Sequence, residues 1–66
     1  MNLVVNGEKL EFAELSTAFN LVDKLGYRDQ RIALEVNEKI IPKSSYKEYR
    51  LSEGDKVEII KAVGGG

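Results

Sequence analysis

The most chemically suggestive feature of the sequence is its end, where Val63 is followed by Gly64, Gly65 and Gly66. A backbone without Cβ atoms can thread a narrow channel and approach a nucleotide phosphate closely, where side chains would block it. A carboxylate on Gly66, with a pKa of ~3.3–3.7, is fully ionised at neutral pH and a poor electrophile. It becomes reactive when another enzyme converts it to a mixed anhydride, for example with AMP. Little else in the chain offers chemistry. There is no cysteine and no histidine, hence no thiolate nucleophile, no sulfur-ligated zinc and no imidazole base. A self-contained enzyme is therefore the poorest reading, and the chain is expected not to be one.

Sixty-six residues make one small domain, and a chain of this size buries only roughly 60% of the surface its unfolded form exposes. A content of 42% hydrophobic and 32% charged residues is that of a folded domain rather than a disordered segment. Ten basic against eleven acidic residues leave a net charge of −1, and no aromatic–basic platform accompanies the cations, so nucleic acid is not an expected partner. No apolar run approaches the ~20 residues of a membrane span, and no signal peptide opens the chain. These absences, with that of cysteine, point to the cytoplasm. Glu8, Glu11 and Glu14 read as surface charge, and no metal site is expected.

The elements that must hold out such a tail follow from hydrophobic period and turn chemistry. Residues 2–6 read as a strand with Leu3 and Val5 on one face. Asn6-Gly7 then signals a two-residue hairpin, because both central positions of a type I′ turn need positive φ. In the strand 8–12, Leu10 and Phe12 oppose Lys9 and Glu11. Ser16-Thr17 offers an N-cap, and Ala18, Leu21, Val22 and Leu25 form one helical stripe ended by Gly26. The helix spans 17–25, with Phe19 off the stripe and covering an edge of the core. Ile32, Leu34 and Val36 mark a third strand, Asn37-Glu38 a turn, and 39–41 a brief fourth strand ended by Pro42. Segment 44–49 is polar and aromatic, compatible with one short helical turn, and Tyr27, Tyr46 and Tyr49 read as packing residues. After the turn 52–55, residues 56–62 form the last strand, with Val57 and Ile59 on one face.

This order implies an α+β domain, a mixed sheet of four to five strands with one helix packed across one face. It is the element order of the β-grasp, or ubiquitin-like, fold. Residues 1–62 form the β-grasp domain and 63–66 a flexible glycine tail. Within that group the sequence resembles the ThiS family of sulfur carriers of thiamin thiazole biosynthesis. The resemblance runs over essentially the whole chain, on Val5-Asn6-Gly7, Val36-Asn37 before Ile41-Pro42, the turn Glu53-Gly54-Asp55-Lys56-Val57, and Val63-Gly64-Gly65-Gly66.

The resemblance implies that a ThiF-like adenylating enzyme uses ATP to form an acyl-adenylate on Gly66. Sulfur from a persulfide donor then displaces AMP to leave a thiocarboxylate, and thiazole synthase (ThiG) takes that sulfur. Gly64 and Gly65 would thread into the partners' active sites. The carrier itself would bind no cofactor, the ATP being the partner's. Many relatives have arginine after the proline and tryptophan shortly beyond, where this chain has Lys43 and Tyr46; lysine keeps the charge but loses the bidentate fork. Other readings are the small subunit of molybdopterin synthase, a sulfur carrier for the molybdenum cofactor, a protein-conjugating modifier, or a ubiquitin-like interaction module with an inert tail.

The expected partner surface is the sheet face opposite the helix, where Ile60 and Ala62 lie beside the tail and Val4 alongside them on the first strand, with Lys43 as a further contact. Lys39, Lys43, Lys47 and Arg50 stand against Glu48 alone in their stretch. They read as a solvated face, the alternative being contact with an acidic partner.

Overall fold

Two hairpins with the same turn geometry frame the sheet. In the computed structural model, which describes residues 1–62, β1 (Asn2–Val5) pairs antiparallel with β2 (Glu8–Glu11) in a register that sets Val5 opposite Glu8. Asn6 and Gly7 have φ of 51° and 82°, the positive values that a type I′ turn requires. Further along, β3 (Ile32–Val36) pairs antiparallel with β4 (Lys39–Ile41), with Val36 opposite Lys39. Here too both turn residues are left-handed, Asn37 at 51° and Glu38 at 69°.

Between the hairpins lies α1 (Ala18–Lys24). Thr17 Oγ1 accepts from the Asn20 N–H at 3.2 Å while Asn20 Oδ1 accepts from the Thr17 N–H at 3.0 Å, a reciprocal cap that satisfies two end donors at once. The N–H groups of Ala18 and Phe19 donate to the carbonyls of Tyr49 and Tyr46, so the helix start is tied to the segment that crosses beneath it. That segment contains a 3-10 turn (Lys43–Ser45). The helix stops at Gly26, whose φ is 83°.

The last strand, β5 (Lys56–Lys61), enters the middle of the sheet rather than its edge, giving the order β2-β1-β5-β3-β4. It runs parallel to β1 and antiparallel to β3. Leu3, Val5, Leu34, Val36, Val57 and Ile59 all face α1, which buries Ala18, Leu21 and Val22 against them. Tyr46 is buried in the same core, where loss of solvent pushes its phenol up, and Tyr27 and Tyr49 pack at its margin. The architecture is the expected two-layer α+β domain, with five strands. The expected flexible tail at 63–66 lies outside the described residues.

Both turn asparagines reach β5. The parallel ladder runs from the Val4 N–H to Asp55 O (3.0 Å) and from the Asn6 N–H to Val57 O (2.8 Å). There the backbone turns away, and the Asn6 carboxamide takes the place of the next peptide group. Its Oδ1 accepts from the Ile59 N–H at 2.8 Å and its Nδ2 donates to Ile59 O at 3.3 Å. Across the sheet, the Asn37 N–H donates to Lys56 O at 2.7 Å and Asn37 Oδ1 accepts from the Lys56 N–H at 3.0 Å. Asn37 Nδ2 also donates to Asp55 Oδ1 at 2.9 Å. The preceding turn is fixed to β1 as well. The Asn2 N–H donates to Glu53 Oε1 at 3.0 Å, a bond that holds the Glu53 carboxyl below its usual range, and the Gly54 N–H donates to Asn2 O.

Two substitutions separate these roles. Asn6→Ala removes both bonds to Ile59 and is expected to lose about 1–3 kcal/mol in urea unfolding. Glu38→Gly relieves a left-handed non-glycine residue that makes no bond to β5, and is expected to gain about 1 kcal/mol by the same measurement.

Candidate functional site

The expectation of chemistry at the terminus requires a fixed base for that terminus and a surface for a partner to hold. The base is the end of β5. The Ala62 N–H still donates to Arg31 O at 3.0 Å, so the chain remains on the sheet one residue beyond the strand. Gly64, Gly65 and Gly66, the residues to which chemistry was assigned, lie outside the described residues.

The surface expected to meet a partner is the sheet face turned away from α1. Alternation along β5 aims Lys56, Glu58 and Ile60 outward while Val57 and Ile59 are buried. Ile60 is 53% exposed, and its partner on β3 is the exposed Ala33, too small to cover it. Ala62 is exposed beside it. Val4 requires a correction. It points to this face, but its partner is Lys56, four residues before Ile60 and so about 13 Å from it at ~3.3 Å per strand residue. Lys56 and Glu58 occupy the interval, so Val4 and Ile60 do not form one patch. Half-buried Val4 borders a separate shallow depression with Leu3 and Lys9. Lys43 stands on the 3-10 turn and not on the sheet face itself, but it lines the same cavity as Ile60 and Ala62.

The member that sequence reasoning missed is Ile40, 72% exposed and the most exposed large apolar side chain among the described residues. Its signal was available: with Ile41 buried, alternation within a three-residue strand must turn Ile40 out. Ile40 lies opposite Glu35, and Glu35 opposite Glu58. Two carboxylates therefore meet across adjacent strands between two exposed isoleucines. Like charges directly opposite are unfavourable in an isolated sheet. The arrangement suits a partner that brings apolar surface to the isoleucines and a cation to the carboxylates. Among the described residues no cluster of acidic side chains is placed to hold a metal ion, and no helix is long and apolar enough to cross a membrane.

Comparison with known proteins adds independent information. The model of the ThiS family matches residues 2–66. Over all 66 residues the chain is 42% identical to a thiazole synthase of Paramagnetospirillum magneticum, of whose length it spans only 20%. It is 24% identical to the sulfur carrier protein ThiS of Escherichia coli, covering 100% of both chains. The crystal structure of the thiamine biosynthesis protein ThiS from Geobacter metallireducens superposes over 100% of both chains with a TM-score of 0.84, at 26% identity.

The assignment of faces is tested by two neighbouring positions. Ile60→Glu is expected to change the unfolding free energy by no more than about 0.5 kcal/mol. Ile59→Ala, one residue earlier and buried, is expected to cost about 2–5 kcal/mol. Urea titrations of the two variants read the difference directly.

Proposed function

The chain belongs to the ThiS family of ubiquitin-like sulfur carriers, and on that premise we propose that it delivers sulfur for thiazole formation as a thiocarboxylate on Gly66. The observation that carries this reading is the position of the glycine run. The sequence Gly64-Gly65-Gly66 follows, after Val63, the central strand of a domain with the ThiS fold. As a carrier the protein is a co-substrate and not a catalyst, and its lack of cysteine and histidine costs it nothing.

The chemistry needs two partners and a donor. An adenylating enzyme of the ThiF type joins the Gly66 carboxylate to the α-phosphate of ATP and releases pyrophosphate. The terminal sulfur of a protein persulfide attacks the activated carbonyl carbon and expels AMP, and thiol reduction of the resulting acyl disulfide leaves the thiocarboxylate. Gly64 and Gly65 let the end pass into each enzyme's site, since no Cβ obstructs it. ATP is thus consumed by the partner and no cofactor resides on the carrier. The supply of ATP and reduced thiols places the process in the cytoplasm.

Thiazole synthase is the proposed sulfur acceptor. A thiazole synthase contains, within one longer chain, a segment similar to this protein over its full length. Covalent joining raises the effective concentration of two modules that must meet, so such a chain is what a carrier and its acceptor would gain from being linked. On the carrier, Ile60, Ala62 and the newly found Ile40 supply the apolar contacts for the adenylating enzyme, with Glu35 and Glu58 between them.

Incubation with the adenylating enzyme, ATP and a persulfide donor is expected to raise the intact mass by the difference between one sulfur and one oxygen. Omission of ATP, or deletion of Gly66, is expected to abolish that gain. A gain that persists in the Gly66-deleted chain would refute the assignment of the site.

A further inference from the structure

β4 leaves the sheet early, and the place it leaves is open. It ends at Ile41, opposite Leu34, after which Pro42 and the 3-10 turn carry the chain away. β3 begins two residues before that point, at Ile32. The alternation of an antiparallel ladder fixes where its free groups point. The Ala62 N–H donates to Arg31 O, which places residue 31, and with it 33 and 35, in the hydrogen-bonded pairs with β5. Ile32, like Leu34 and Val36, therefore directs its N–H and C=O toward the β4 side. No strand residue stands opposite Ile32 there.

A cavity of about 600 Å³ surrounds this vacant edge. On the helix side its wall is Phe19, Val22, Tyr27, Ile32 and Tyr46. On the outer side it reaches Ala33, Ile60 and Ala62. Space on both faces of one strand edge is what an added strand occupies, because its successive side chains fall alternately on the two faces. A compact small molecule would use one side only.

The rim is cationic. Arg28, Arg31, Lys43 and Lys47 line the same cavity. Arg28 Cζ and Lys47 Nζ both lie over the Phe19 ring, 5.7 and 5.1 Å from its centre, so one aromatic ring gathers two cations. Among the described residues the rim has one ion pair, a long contact of 3.9 Å between Arg28 and Asp23, whose side chains are both more than half exposed. Arg31, Lys43 and Lys47 pair with no acid among those residues. Lys43 and Lys47 come from the stretch whose basic excess reads in sequence as a solvated face; Arg28 and Arg31 join them only through the fold.

We propose that this edge of β3 is a docking site for an extended acidic segment of a partner protein, which adds a short strand beside Ile32 and Ala33, buries apolar side chains against Phe19 and Tyr46, and sets its carboxylates among Arg28, Arg31, Lys43 and Lys47. Such strand addition takes its affinity from main-chain bonds and its selectivity from alternate side chains. The site centres on the β3 edge and meets the outward isoleucine–glutamate face at Ala33, Ile60 and Ala62, and its occupancy does not depend on the sulfur-carrier reading.

The test is a titration of the isotope-labelled protein with the synthetic peptide acetyl-Asp-Glu-Val-Ile-Val-Asp-Asp-amide, followed through the amide resonances. A basic analogue with lysine at every acidic position and a version N-methylated on the central isoleucine serve as controls. The acidic peptide is expected to shift Ile32, Ala33 and Lys47 with a Kd below about 1 mM, and to bind at least about tenfold more tightly than either control. Added salt weakens it, as for any exposed charge pairing. Lys43→Glu combined with Lys47→Glu is expected to lower the affinity at least about tenfold while leaving the amide spectrum of the fold intact. Absence of shifts, equal binding of the acidic and basic peptides, or full binding by the N-methylated peptide would overturn the proposal. Equal displacement of the same amides by benzene-1,3-dicarboxylate would overturn it in favour of a small anionic ligand.

Discussion

Two side-chain amides reinforce the central strand where its ladders with its neighbours run out. β5 is parallel to β1 for only two register pairs, Val4 with Lys56 and Val5 with Val57, before β1 turns away. A parallel ladder that short is a weak anchor. The Asn6 carboxamide extends it by one peptide equivalent, to Ile59, and Asn37 does the same for the antiparallel ladder at Lys56. Both residues occupy left-handed turn positions, which asparagine tolerates better than most residues because its short amide bonds locally. The same side chain thus shapes a hairpin and locks the central strand. Each hairpin is formed locally, and each brings a ready-made donor and acceptor to the strand that arrives last.

The consequence for a carrier is positional. A terminus can serve a partner's active site only if the domain behind it offers a fixed reference. Here that reference runs from the core residues Val57 and Ile59 through to the Ala62 N–H. Alternation then divides the strand's labour: inward residues hold the fold, and outward ones, Glu58 and Ile60, are free to meet a partner. The cross-strand carboxylates Glu35 and Glu58 lie beside Ile40 and Ile60 on that outward face. Their placement makes sense for a surface completed by another protein.

Local order was readable in the residues, and long-range order was not. Asn6-Gly7, the stripe from Ala18 to Leu25 and the stop at Gly26 each carry their own turn or period, so the elements fall where the pattern puts them. The central position of β5 has no such signature. Its pattern of Val57 and Ile59 against Glu58 would suit an edge strand equally well, and its neighbours are decided by contacts with residues some fifty positions away. The misplacement of Val4 has the same origin: a shared face is legible from alternation, but distance along the face depends on register. Thr17 was legible as a cap, whereas Asn20 was not, because its reciprocal bond stands where glutamate or glutamine is usual. The cationic rim was half legible. Lys43 and Lys47 are near in sequence, but Arg28 and Arg31 join them only once β3 and α1 are packed.

The central claim is that a turn side chain, and not a backbone ladder, holds β5 at Ile59. Register pairs Ile59 with Leu34 in the pair that exchanges no bonds with β3, so its N–H depends on Asn6 Oδ1 alone. Native-state hydrogen exchange reads that one amide. If the account is right, Ile59 exchanges only through global unfolding, with the same free energy as Val57 in the ladder before it. Exchange of Ile59 orders of magnitude faster than that of Val57, through local opening, would contradict it.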